Sequence, residues 1–121
     1  MDFYRRSREW DALLSNRRYA LIAFTDNDKP IGFVDVEIDA DSANIAYYVR
    51  PEYRMKGLGK AMLEKTLSWI ASQTQAVVVC AFVDPDNVAS VRCLESCGFT
   101  MRPSTGDLRH YERDVLSQQK I

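Results

Sequence analysis

No apolar run in this chain approaches the ~20 residues that a membrane-spanning helix requires. The N-terminal stretch carries Arg5, Arg6, Arg8 and Glu9, but no apolar signal core follows it. Nor is one sign of charge in excess. Sixteen basic residues stand against 17 acidic ones, which leaves no field to attract nucleic acid or an anionic membrane. The cysteines number three, and an odd count without a signal peptide points to a reducing cytosol rather than a disulfide framework. Repeats, low-complexity segments and internal linkers are missing. At 121 residues the chain has the length of one domain with a real core and is too short for two.

What is there concentrates in one stretch, Val49-Arg50-Pro51-Glu52-Tyr53-Arg54-Met55-Lys56-Gly57-Leu58-Gly59-Lys60-Ala61. An apolar, β-branched and aromatic run, Ile45 to Val49, leads into a basic turn with two glycines, and an amphipathic helix follows at once. Glycine has no Cβ, so the backbone N–H groups of such a turn can converge on an anion. The helix dipole adds to that field, and Arg54, Lys56 and Lys60 add full charges. The pattern reads as a site for a phosphate or pyrophosphate. It fits neither the nucleotide-triphosphate loop nor the dinucleotide fingerprint, because Lys60 to Met62 supplies no third glycine.

Arg54-x-x-Gly57-x-Gly59 instead resembles the [Q/R]-x-x-G-x-[G/A] signature of the GNAT N-acetyltransferase superfamily. A second stretch, Asn87-Val88-Ala89-Ser90-Val91-Arg92-Cys93-Leu94-Glu95-Ser96-Cys97-Gly98-Phe99, resembles the N-x-x-S-x-R-x-L-E-x-x-G-F helix of the branch that contains the ribosomal-protein N-terminal acetyltransferases. It begins about thirty residues after the first, the distance that one helix and one strand require. The resemblance covers about Arg8 to Val115. It implies acetyl-CoA as cofactor, with its pyrophosphate on backbone amides around Arg54, Met55, Lys56, Gly57, Leu58, Gly59 and Lys60. Tyr48 and Val49 would offer a backbone donor to the thioester oxygen, and Asn87 and Ser90 would line the pantetheine arm.

The element pattern agrees with that fold. Ser7 to Asn16 reads as a short helix with Ser7 as N-cap and Trp10, Leu13 and Leu14 on one face. Strands are expected at Tyr19–Thr25, Ile31–Asp39 and Asn44–Arg50, the second alternating Val34, Val36 and Ile38 against Asp35, Glu37 and Asp39. A helix over Gly57–Gln73 should bury Leu58, Met62, Leu63, Trp69 and Ile70. Ala76–Val83 is a continuous apolar run, the mark of a strand buried on both faces. A helix capped by Asp86 or Asn87 follows, with Gly98 in the left-handed position beyond its end. Two last strands lie near Phe99–Arg102 and Leu108–Asp114. The long helix between the third and fourth strands requires a parallel crossover. The expected fold is an α/β (α+β) domain over 1–121, with a mixed, mostly antiparallel twisted sheet, flanking helices and a splayed parallel pair at the cofactor cleft. The family's usual extra first strand and helix find no room here.

The chemistry implied by the resemblance is attack of an amine on the acetyl thioester. An amine with a pKa near ~10.4 is mostly protonated at neutral pH, so a base must take its proton. The tyrosine that often serves as acid, seven residues after the motif asparagine, is replaced by Leu94. Asn44 and Phe82 stand where other members carry a base. Ser90 and Tyr48 are the candidate catalytic residues. Against this, Ser90 reads equally as a first-turn hydroxyl bonded to backbone, and Asn87 as a plain cap. Tyr47 and Tyr48 lie on opposite faces of one strand, so one packs inward and the other is free to face the acetyl group. Asp35 and Glu37 read either as a solvated strand face or as a wall for a cationic acceptor. His110 reads as structural. Cys93 and Cys97 are one helical turn apart with no other ligands nearby, so they read as a core-facing pair, and no metal is expected.

The function expected is acetyl-CoA-dependent transfer to a primary amine of a small molecule or of a peptide N-terminus, in the cytoplasm and in a homodimer. The alternative is a non-catalytic acyl-CoA-binding module, which Leu94 and the short front end favour.

Overall fold

Period-two alternation settles the sheet. Over 34–38 the buried positions are Val34, Val36 and Ile38, with Asp35 and Glu37 half-buried on the reverse side, because successive strand side chains point to opposite faces. A computed structural model describes residues 2–7 and 17–115. The strands are β1 (Asp2–Ser7), β2 (Arg17–Phe24), β3 (Pro30–Asp39), β4 (Ser42–Val49), β5 (Val78–Val83), β6 (Thr100–Arg102) and β7 (Arg109–Asp114). Two α-helices join them, α1 (Leu58–Gln73) and α2 (Val88–Ser96). One sheet holds all seven strands in the order β1-β2-β3-β4-β5-β7-β6. Every pairing is antiparallel except β4 with β5, which is the crossover that α1 makes obligatory.

The front end differs from the sequence expectation. Asp2 to Ser7 pairs antiparallel along β2, from Asp2 opposite Phe24 to Ser7 opposite Tyr19. Ser7 therefore closes a strand instead of capping a helix, and β2 has a neighbour on its outer side. The remainder of the expected helix, with Trp10, Leu13 and Leu14, lies outside the described residues.

Both helices cover one face. Register places Tyr19, Leu21, Val34, Val36, Ala43, Ile45, Tyr47, Val79, Ala81 and Tyr111 together on it. Met62, Leu63, Leu67 and Ile70 of α1 and Val91 and Leu94 of α2 pack against them. The helix periodicity of α1 was legible, but Thr66 and Leu67 join the buried stripe and Trp69 is only half-buried, its ring edge-on to Tyr19 at 5.1 Å. α2 ends as expected. Gly98 has φ +85°, its N–H bonds the Glu95 carbonyl, and the Phe99 N–H bonds Leu94 at 3.1 Å, the paired bonds of a Schellman stop. Arg113, 5% exposed, donates from Nη1 to the Cys97 carbonyl at 2.6 Å, a cation at the negative end of α2. Burial lowers its pKa.

The strand β5 is not buried on both faces. Val79, Ala81 and Val83 face the helices, but on the reverse side Phe82 is 54% exposed. That reverse side, the open face, carries Arg18, Asp35, Glu37, Asn44, Ala46, Tyr48, Cys80, Phe82, His110 and Glu112 by register.

Candidate active site

The glycine turn grows directly out of β4. Arg50 N–H bonds the Ile31 carbonyl at 2.8 Å, the last tie to β3. A 3-10 turn, Pro51–Tyr53, then reverses the chain. Arg54 folds back, donating from Nε to the Val49 carbonyl at 2.8 Å, with its guanidinium 5.3 Å from the centre of the Tyr48 ring. Met55 and Gly57 have φ of +62° and +76°. Left-handed residues alternating with ordinary ones turn successive N–H groups toward one point. The first intrahelical bond of α1 is Ala61 N–H to Gly57 carbonyl at 3.2 Å, so the amides of Leu58, Gly59 and Lys60 precede the ladder. Lys56 and Lys60 are exposed beside them.

The two glycines have different jobs. A Cβ on Gly57 would meet nothing within 4 Å, whereas one on Gly59 would lie 3.4 Å from Cys93 Sγ and 3.7 Å from Val49 Cγ2. Gly57 is needed for its backbone conformation. Gly59 lets α1 approach α2 and the end of β4.

A gap opens next to this turn. β4 pairs with β5 only over Ser42–Ile45 against Val78–Ala81, yet β4 runs on to Val49 and β5 to Val83. Because the Arg50 N–H points to β3, strand alternation directs the N–H groups of Tyr47 and Val49 away from β3 and into the gap. Arg54 already occupies the Val49 carbonyl.

α2 borders the gap on the helix side. Asn87 is its N-cap, with Oδ1 accepting the Ser90 N–H at 3.2 Å. The Tyr47 hydroxyl donates to the Ser90 carbonyl at 3.1 Å, bridging β4 to α2. Burial pushes the Tyr47 phenol above its ordinary range, so it stays protonated. Sequence reasoning named Tyr48 as the candidate, whereas it is the Tyr47 hydroxyl that reaches α2. The signal was parity, since Tyr47 shares a face with Ile45 and Val49, while Tyr48 is 42% exposed on the open face. Leu94, at the usual tyrosine position, is fully buried in the core. The Cys93 and Cys97 thiols are free and act on each other's titration, and Cys97 Sγ donates to the Lys60 carbonyl at 3.9 Å. The neighbouring thiol raises Cys93 and lowers Cys97 from the ordinary thiol range.

On the open face a cavity of about 260 Å³ is lined by Arg18, Asp35, Glu37, Asn44 and Ala46 among others. It lies behind the start of the gap rather than at the glycine turn. Glu37 is not a bare carboxylate there, because Arg18 pairs with it at 2.8 Å. Asp35 is half-buried beside it.

Residues 2–100 match the acetyltransferase (GNAT) domain model. The chain belongs to the GNAT acetyltransferase family. It is similar to the uncharacterized N-acetyltransferase YfmK of Bacillus subtilis (strain 168), with 30% identity over 100 residues, covering 82% of this chain and 67% of that protein. Its fold matches the spermidine N-acetyltransferase of Vibrio cholerae in complex with CoA and spermine, with a TM-score of 0.77 at 18% identity, over 93% of this chain and 73% of the other. It also matches the N-acetyltransferase PseH of Campylobacter jejuni in complex with acetyl coenzyme A, with a TM-score of 0.71 at 18% identity, over 80% and 67%. The protein is an N-acetyltransferase, and the cofactor of its family is acetyl-CoA. The residues present fit that cofactor. Gly57 leaves room that a side chain would fill, three helix-start amides are free of the ladder, and the gap exposes strand amides to a pantetheine arm.

Proposed function

We propose that this protein transfers the acetyl group of acetyl-CoA to the primary amine of a small molecule or of a peptide N-terminus. The observation that carries the proposal is the parting of β4 from β5 beside the Gly57 turn. The bound cofactor would supply an acetyl thioester open to attack by an amine. The amides of Leu58, Gly59 and Lys60, with Lys56 and Lys60, would hold its pyrophosphate. Arg54, engaged with Val49 and Tyr48, would act by fixing the end of β4. The Val49 N–H would donate to the thioester oxygen, where charge develops. Ser90 and the protonated Tyr47 hydroxyl, which are joined across the gap by the Tyr47–Ser90 carbonyl bond, would be the proton donors to the departing sulfur. Tyr48, on the open face with Arg54 over its ring, would face the acceptor.

The acceptor would enter from the open face, whose cavity begins at Ala46, the first β4 residue beyond the paired segment. Asp35 would attract a cationic amine. Glu37, balanced by Arg18, would shape the cavity more than charge it. The spermine bound by the Vibrio cholerae relative supports a small cationic amine. The Asn87-x-x-Ser90 pattern, shared with the ribosomal-protein N-terminal acetyltransferases, supports a peptide N-terminus. Three free thiols suit the cytoplasm.

The test is release of free CoA, followed chromatographically, from acetyl-CoA with polyamines, amino sugars and short peptides. Turnover with at least one amine is expected, with Ser90→Ala or Tyr47→Phe lowering kcat about 10²-fold or more if that hydroxyl is the donor. Binding of acetyl-CoA with no release from any amine would favour the non-catalytic module.

We also propose a homodimer. With β1 covering the edge of β2, the support is the open face, where Phe33, Tyr48 and Phe82 are 38%, 42% and 54% exposed. Light scattering should give twice the 13.9 kDa of one chain, and a single-chain mass at micromolar concentration would refute the pairing.

A further inference from the structure

The open face carries a second cluster, which acetyl transfer does not use. His110 and Glu112 are two apart on β7 and share a face, and Cys80 of β5 stands directly opposite Glu112. Cys80 Sγ lies 3.9 Å from Glu112 Oε2, and His110 Nε2 lies 3.3 Å from the same oxygen. All three atoms fall within 4.8 Å of one another. Among the described residues, His110 Nε2 is buried yet makes no hydrogen bond, because despite its 3.3 Å approach the ring does not aim it at the oxygen. A buried polar atom left this way is costly and calls for a missing partner.

Atoms that share a metal ion behave in this manner. Here they crowd together with Cys80 Sγ donating only a long bond to Glu112 Oε2 and with His110 Nε2 left without a partner. With zinc–nitrogen, –oxygen and –sulfur distances of about 2.0–2.3 Å, neighbouring tetrahedral ligands sit roughly 3.3–3.6 Å apart. The histidine–carboxylate spacing is already in that range, the sulfur need close by a few tenths of an ångström on Glu112, and the sulfur and imidazole nitrogen, within 4.8 Å of each other, need close by up to about 1 Å. The surroundings hold the ligands in place. Arg102 Nε contacts the other Glu112 oxygen at 3.4 Å, and the Phe82 ring stacks on the imidazole with centroids 4.6 Å apart. Such outer contacts fix ligand orientation.

We propose that Cys80, His110 and Glu112 bind one Zn²⁺ ion, with a water in the fourth position. A thiolate, an imidazole and a carboxylate suit a borderline-soft divalent cation and not calcium or magnesium, which prefer oxygen alone. The site neutralises two anionic ligands with one dication. It lies in line with the open-face cavity, because Glu37, Asn44, Cys80 and Glu112 form one row across β3, β4, β5 and β7. The ion would tie β5 to β7 behind the strand that lines the gap.

The proposal is tested by titrating the metal-free full chain, made without an affinity tag, with Co²⁺ and then displacing it with Zn²⁺. One equivalent should give a thiolate-to-cobalt absorption band in the near ultraviolet and the visible bands of a tetrahedral site. Zinc should raise the melting temperature of the parent protein. Cys80→Ser and His110→Gln, shown to be folded by circular dichroism, should weaken binding by about 100-fold, and Arg102→Ala by about 10-fold. A Cys93→Ala/Cys97→Ala double variant should bind as the parent does. The proposal is overturned if no thiolate band forms. It is equally overturned if the band survives in Cys80→Ser or is lost only in the double variant, which would make the cluster a metal-free hydrogen-bonded one.

Discussion

Gly57→Asp is expected to abolish measurable acetyl-CoA binding while the fold survives. Its Cβ would meet open space, so the only structural cost is the left-handed backbone at φ +76°, about 1–2 kcal/mol for a residue other than glycine. The functional cost is larger. A carboxylate there would stand among the amides of Leu58, Gly59 and Lys60, which are proposed to hold the pyrophosphate. Two unit charges ~4 Å apart repel by about 4 kcal/mol at an effective dielectric of ~20. Allowing for solvent at this exposed turn, a loss of about 100-fold is the minimum. Gly57→Asn carries the same strain without the charge and should lose much less. Calorimetric titration of the two variants separates the effects, and equal affinities would place the phosphates elsewhere.

Gly32→Ala should do the opposite and take fold and binding down together. Gly32 pairs with Val49 across β3 and β4, and a Cβ at Gly32 would collide with the Tyr48 carbonyl oxygen. Backbone cannot rotate aside as a side chain can, so the strands must part. We expect a loss of about 3 kcal/mol or more, at the upper end of overpacking costs. Because the displaced segment is Tyr48–Val49, acetyl-CoA affinity should fall with the melting temperature. A variant that melts like the parent would show that β3 and β4 are not held as closely as described.

The parts of this molecule that were legible are those set by local physics. The two glycines and the apolar periodicity of α1 placed the glycine turn at the start of that helix, and Gly98-Phe99 placed the end of α2, because turn conformation and helix period are encoded within a few residues. Alternation in β3 told the buried Val34, Val36 and Ile38 from Asp35 and Glu37. What escaped depended on distant pairing. Asp2–Ser7 has two adjacent arginines and too little apolar content to announce a strand, and β2 makes it one. Phe82 looked buried because the run around it is apolar, but only one side of β5 is covered by helix. Cys80 is thirty residues from His110, and nothing before the β5–β7 register brings them together. The open-face cavity likewise arises where three strands meet, and the Arg18–Glu37 pair that tempers its charge depends on β2–β3 register.

The early end of the β4–β5 ladder has a further consequence, for solvent. A break inside a sheet creates a strand edge in the middle of the protein, and an amide without a partner exchanges its hydrogen with water far faster than one in a ladder. In β4 the two kinds should alternate, with Ala46 and Tyr48 protected by β3 and Tyr47 and Val49 exchanging quickly. A cofactor arm lying in the gap would act as a replacement strand and slow those two amides selectively. The cleft would thus be readable residue by residue, before any acceptor is known, as a two-residue periodicity in deuterium uptake that acetyl-CoA erases.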